Sequence, residues 1–88
     1  RTAPTGQEDA QLGEIYMSSG QYPQAIEALE RGLKKGNFKN PDATRIALGI
    51  AYFNSNQADK ARAAFRQVPE SSELARIAEL WSLHAGSK

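Results

Sequence analysis

The stretch QLGEIYMSSGQYPQAIEAL at residues 11–29 is written again, altered, as ALGIAYFNSNQADKARAAF at residues 47–65. Leu12/Leu48, Gly13/Gly49, Tyr16/Tyr52, Ser19/Ser55, Gln21/Gln57, Ala25/Ala61 and Ala28/Ala64 coincide. That is seven identities in nineteen aligned positions at a spacing of 36, where ordinary composition gives roughly one or two. A pattern held in phase over such a length restricts the chain to a repeat architecture. Each copy is one small unit that cannot bury its apolar face alone, so the copies must stack.

Inside each copy the apolar residues recur at helical spacing, and five helices can be drawn with no strand. The first runs from about Gln7 to Ser19 with Leu12, Ile15 and Tyr16 in step, and Gly20 supplies a left-handed stop. The second starts near Pro23, a residue suited to a helix's first position, and ends with Lys34, Lys35 and Gly36. Asn40, Pro41 and Asp42 restart a helix that carries Ile46, Leu48, Ile50, Ala51, Tyr52 and Phe53. Asn54, Ser55 and Asn56 break it. A fourth helix follows from about Gln57 to Gln67, closed by Pro69. Ser71 or Ser72 caps a fifth, with Leu74, Ile77, Ala78, Trp81 and Ala85 forming its inner series. Short connections make neighbouring helices antiparallel.

Composition removes several functional classes. The chain has 88 residues, which allows one domain, residues 1–88. Its net charge of +1 exerts no bulk pull on nucleic acid or an acidic membrane, and no apolar run approaches the ~18 residues that span a bilayer. There is no cysteine, hence no thiolate metal site and no disulfide framework. His84 is the single histidine, an ordinary surface residue by its setting, and no zinc, phosphate-loop or nucleophile motif accompanies it. The reading is no enzyme, no cofactor, no metal, no nucleic acid and no direct membrane insertion. Glu27 and Glu30 with Arg31 and Lys34 read as surface pairs along one helix. The compartment is left open between cytoplasm and periplasm.

The spacing of Leu12-Gly13, Tyr16, Ala25 and Leu29, and again of Leu48-Gly49, Tyr52, Ala61 and Phe65, resembles the tetratricopeptide repeat, a helix–turn–helix unit with the pattern L-G-x-x-Y, A-x-x-x-F, P. The resemblance covers about residues 6–69 and implies an all-α, antiparallel α–α superhelix. Repeat 1 is placed at about 6–39, repeat 2 at about 40–69, and a capping helix at about 71–85. The glycines then mark a close approach of the paired helix, and Ala25 and Ala61 are its small partners. Asp9 and Arg45 stand where tryptophan is common, Gly32 and Val68 where alanine is common, and two extra residues fall between Gly36 and Pro41. Two repeats are few for a stable stack. The expectation is therefore the C-terminal piece of a longer array, from a bacterial parent by general resemblance.

The resemblance also implies a partner. First helices of such pairs line a concave groove, here through Gln7, Ala10, Glu14, Met17 and Ser18, then Ala43, Ile46, Ile50, Phe53 and Asn54. Early groove positions carry no base, so the carboxylate clamp of chaperone-binding members is not expected. Met17, Ile46, Ile50, Phe53 and Asn54 are instead the candidate binding residues, suited to an apolar peptide or amphipathic helix. The alternative is an architectural end or self-association segment that forms a homodimer through its exposed edges. Under that alternative the fifth helix or a neighbouring copy covers the same apolar residues.

Overall fold

Five helices follow one another in the computed structural model, which describes residues 6–36 and 41–86: α1 (Gly6–Ser18), α2 (Tyr22–Lys35), α3 (Pro41–Asn54), α4 (Ala58–Arg66) and α5 (Ala75–Gly86). No strand occurs among the described residues. Each helix packs chiefly on the next, while α1, α3 and α5 touch one another only sparingly. The result is an all-α, two-layer arrangement, with α1, α3 and α5 in one layer and α2 and α4 in the other. The expected Asn40 cap and the two extra residues of the α2–α3 connection lie outside the described residues, as does the opening stretch before Gly6.

The turn inside each pair is the same device built twice. Gly20 holds φ +75°, and 36 residues later Asn56 holds φ +63° without being glycine. Asparagine tolerates this left-handed region better than other non-glycine residues. In the first turn Gln21 N–H donates to the Tyr16 carbonyl at 2.9 Å and Gly20 N–H to Met17 at 3.0 Å. In the second, Gln57 N–H donates to Tyr52 at 2.9 Å and Asn56 N–H to Phe53 at 3.2 Å. These paired bonds satisfy the last carbonyls of α1 and α3 and fix the reversal of direction.

The repeated glycines are where the helices meet most closely. A Cβ on Gly13 would fall closer than 3.0 Å to the Leu29 side chain, and one on Gly49 equally close to the Phe65 ring. Among the described residues Leu29 and Phe65 are the largest fully buried side chains, in a core cluster that also holds Ala25, Ala51, Ala61 and Ala64. Gly32 has its own reason: a Cβ there would meet the Gly6 carbonyl oxygen at 2.7 Å. The alanine common at that repeat position would push α1 away.

Two expectations need adjustment. The α-helical part of α5 begins at Ala75, two residues later than a Ser72 cap implies, because residues after Pro69 first form a turn in which Ser72 N–H donates to Pro69. Ser72 Oγ still accepts from Leu74 N–H at 3.1 Å. Ile77, read as part of the inner stripe, is 45% exposed, whereas Ala78 and Ala85 face the core.

Candidate functional site

The candidate residues fall on the layer formed by α1, α3 and α5, to different depths. Ile46 is buried in the core. Met17, Ile50 and Phe53 are half-buried and packed against it, and Asn54 is exposed. The 36-residue register pairs Met17 with Phe53 and Glu14 with Ile50, so α1 and α3 present equivalent faces with different chemistry.

At the α3–α5 junction the rings form a cluster. The Phe53 ring meets Trp81 edge-on at 6.3 Å between centroids and lies 5.0 Å from the His84 ring. Trp81 stacks on the buried Phe65 at 6.1 Å and 23°, and His84 stands edge-on to Trp81 at 5.8 Å. Trp81 thus ties α5 onto both α3 and α4 while staying half-buried, and His84 remains exposed beside Phe53. Pattern reading alone gave His84 no role in packing. Its nearness to Phe53 depends on how α5 docks, which no local spacing encodes.

Polar contacts fasten the opposite side. Asp9, buried at the start of α1, takes Arg31 Nε at 3.0 Å and Lys35 Nζ at 2.8 Å, both from α2. Hydrogen bonding from Lys35 and then Arg31 holds its carboxyl below the usual aspartate range. Arg45 turns to Asp42 at 2.7 Å within α3. Tyr52, at the end of α3, donates its hydroxyl to Glu30 Oε2 of α2, and Lys60 lies 5.8 Å over its ring. Burial, reinforced by the Glu30 carboxylate, pushes the Tyr52 phenol up to about 12. Arg31 and Glu30 therefore engage α1 and α3, in contrast with the surface pairing along α2 that their spacing suggested.

Among the described residues, the remaining exposure of large apolar side chains lies on α1 and α5. On α1, Leu12 and Ile15 are 37% and 62% exposed; on α5, Leu80 and Leu83 are 60% and 67% exposed. Between α4 and α5 a shallow cavity of about 480 Å³ is floored by Phe65, Val68 and Ala78 and rimmed by Arg66, Glu70, Arg76 and Glu79. Among the described residues no group of histidines and carboxylates is arranged to hold a metal ion. No helix among the described residues is long and apolar enough to cross a membrane.

Comparison with known families agrees with this geometry. A family model described as tetratricopeptide repeat matches residues 16–85, most of the chain and all of the helices from α2 to the body of α5. No curated protein and no solved structure matches the chain. The chain belongs to the tetratricopeptide repeat family.

Proposed function

We propose that this tetratricopeptide repeat protein is a non-enzymatic scaffold whose α1–α3–α5 face is a groove for a peptide or helix of another protein. Repeats of this family generally mediate protein–protein interaction, and the finer reading concerns where and how. The observation that carries it is the half-buried apolar strip of Met17, Ile50 and Phe53, flanked by exposed Asn54. Side chains in this state have lost some water to the core yet keep surface to offer. Full burial of each by a partner contributes about 1.5–3 kcal/mol at most, and less here because part is already buried. Ile46 lies beneath the strip as its support, and Asn54 adds a donor and acceptor at its edge.

A second reading is favoured by the exposed Leu12 and Ile15 at one end and Leu80 and Leu83 at the other. In it the chain is an architectural piece of a longer array, repeat 1 and repeat 2 followed by α5. It then self-associates through those edges and has no ligand of its own.

One comparison separates the two readings. Ile50→Asp removes groove surface without touching either edge, whereas Leu80→Lys with Leu83→Lys removes an edge without touching the groove. Both are checked for helicity by circular dichroism. On the first reading, capture of a protein by the immobilised chain is lost in Ile50→Asp and kept in the edge variant. Capture limited to a second copy of this chain, persisting in Ile50→Asp and disappearing in the edge variant, selects the second reading. Adding Phe53→Asp gives a stronger block of the groove, but it also frees Trp81 and His84, so the single variant is the cleaner instrument.

A further inference from the structure

We propose, building on the groove reading above, that its ligand is an amphipathic helix with a cationic flank, recognised by its apolar stripe and by Glu14. Charge is divided unevenly between the two layers. Helices α1, α3 and α5 carry five carboxylates and two arginines, whereas α2 and α4 carry three carboxylates and six lysines or arginines. A chain of nearly balanced charge, +1 in total, thus places its acid surplus in one layer and its base surplus in the other. Asp9 is spent on Arg31 and Lys35, and Asp42 on Arg45. Of the other three, Glu8, Glu14 and Glu79, it is Glu14, exposed on α1, that stands at the register position Ile50 occupies on α3. No lysine or arginine stands at any groove position of α1 or α3, so a partner's cation meets no like charge there.

The form of the ligand follows from what the strip lacks. Its centre, Ile50 and Phe53, offers no hydrogen-bond partner, and the backbone beneath is committed to α3. An extended peptide laid there leaves its own N–H and C=O groups unpaired against apolar surface. A helix brings its backbone already satisfied and presents side chains alone, which suits the Ile50 and Phe53 surface of α3 continued by His84, with Met17 at the equivalent position of α1. His84 closes the far end as an aromatic contact, its ring tilted at 50° to that of Phe53.

Trp81, the only tryptophan, sits in ring contact with Phe53 and gives a fluorescence signal from the strip itself. The test titrates the full chain with three tryptophan-free model helices that share one leucine stripe and carry lysine, glutamine or glutamate on their flanks. At low ionic strength the lysine helix binds about tenfold tighter than the glutamate helix, with the glutamine helix between them. The gap closes in about 0.5 M salt, where screening acts within roughly 4 Å. Glu14→Lys reverses or erases the order, and Ile50→Asp abolishes binding of all three. If the glutamate helix binds as tightly as the lysine helix, or if Glu14→Lys leaves the lysine preference unchanged, the charge assignment is overturned while the groove reading stands. If none of the three binds, both fall.

Discussion

In the α1–α2 pair the glycine on the first helix is packed by Leu29; in the α3–α4 pair its counterpart is packed by Phe65, whose ring continues outward to stack on Trp81. The first pair is locked by an ion cluster, Asp9 with Arg31 and Lys35, and the second by the Phe65 ring against Gly49, while Tyr52 reaching back to Glu30 of α2 joins the second pair to the first. One pattern therefore supports two kinds of fastening. The glycine, the small alanines and the turn fix how two helices approach. The residues that differ decide whether the pair is tied by charge or by aromatic packing, and how it joins the next helix. The faces differ by the same rule: Glu14 and Met17 on α1 become Ile50 and Phe53 on α3.

Breaking the two packing centres gives the largest effects. Phe65→Ala costs about 3–5 kcal/mol and Leu29→Ala about 2–5 kcal/mol in chemical denaturation. Phe65→Ala also removes the stacking partner of Trp81, so only this variant shifts Trp81 fluorescence in the folded state. Adding a methyl at the glycines comes next. Overpacking costs typically about 1–3 kcal/mol, offset by roughly 1 kcal/mol of helix propensity. A Cβ on Gly49 would meet the rigid Phe65 ring, with Trp81 stacked on that ring, more closely than the 2.6 Å at which one on Gly13 would meet Leu29, so Gly49→Ala is the more damaging of the two. Equal losses at both glycines contradict the aromatic fastening of the second pair.

The polar ties are smaller and separate by pH. Tyr52→Phe costs about 1 kcal/mol near neutrality. The phenol ionises near 10 in the unfolded chain and at about 12 in the folded one. Its contribution is intact below pH 10 and is lost as pH rises through 12, so this variant flattens the alkaline side of the stability profile. Asp9 acts at the other extreme. With its carboxyl held below the ordinary value of about 3.9, its contribution is present above that value and is lost as pH falls through the folded one. Asp9→Asn therefore weakens the protein at neutral pH and flattens the acid side, while leaving the alkaline side as it was.

The repeat made the fold legible: helix positions, the Gly20 turn and the two close glycine contacts all follow from spacing and backbone chemistry. Three things were not readable from local pattern. Arg31 and Glu30 sit at spacings that favour pairing along α2, yet buried partners on neighbouring helices hold them more firmly than exposed ones. Ile77 continues an apolar series, but periodicity marks a stripe without saying which neighbour covers it, and α5 turns that residue outward. The proximity of His84 to Phe53 depends on the docking of α5 after an eight-residue connection, residues 67–74, whose path no motif specifies. Of the candidate groove residues, the sequence indicated a shared face but not depth; Ile46 proves buried while Asn54 is exposed.

The comparison of faces leads to the central claim, that the changed letters of the second copy form a binding surface. Mapping backbone amide shifts by NMR on addition of the lysine-flanked helix tests it most directly. The account predicts perturbations grouped at Met17, Ile50, Phe53 and Asn54 and extending to His84, with Leu12, Ile15, Leu80 and Leu83 unmoved. Perturbations centred on those four edge residues, with Ile50 and Phe53 silent, contradict it.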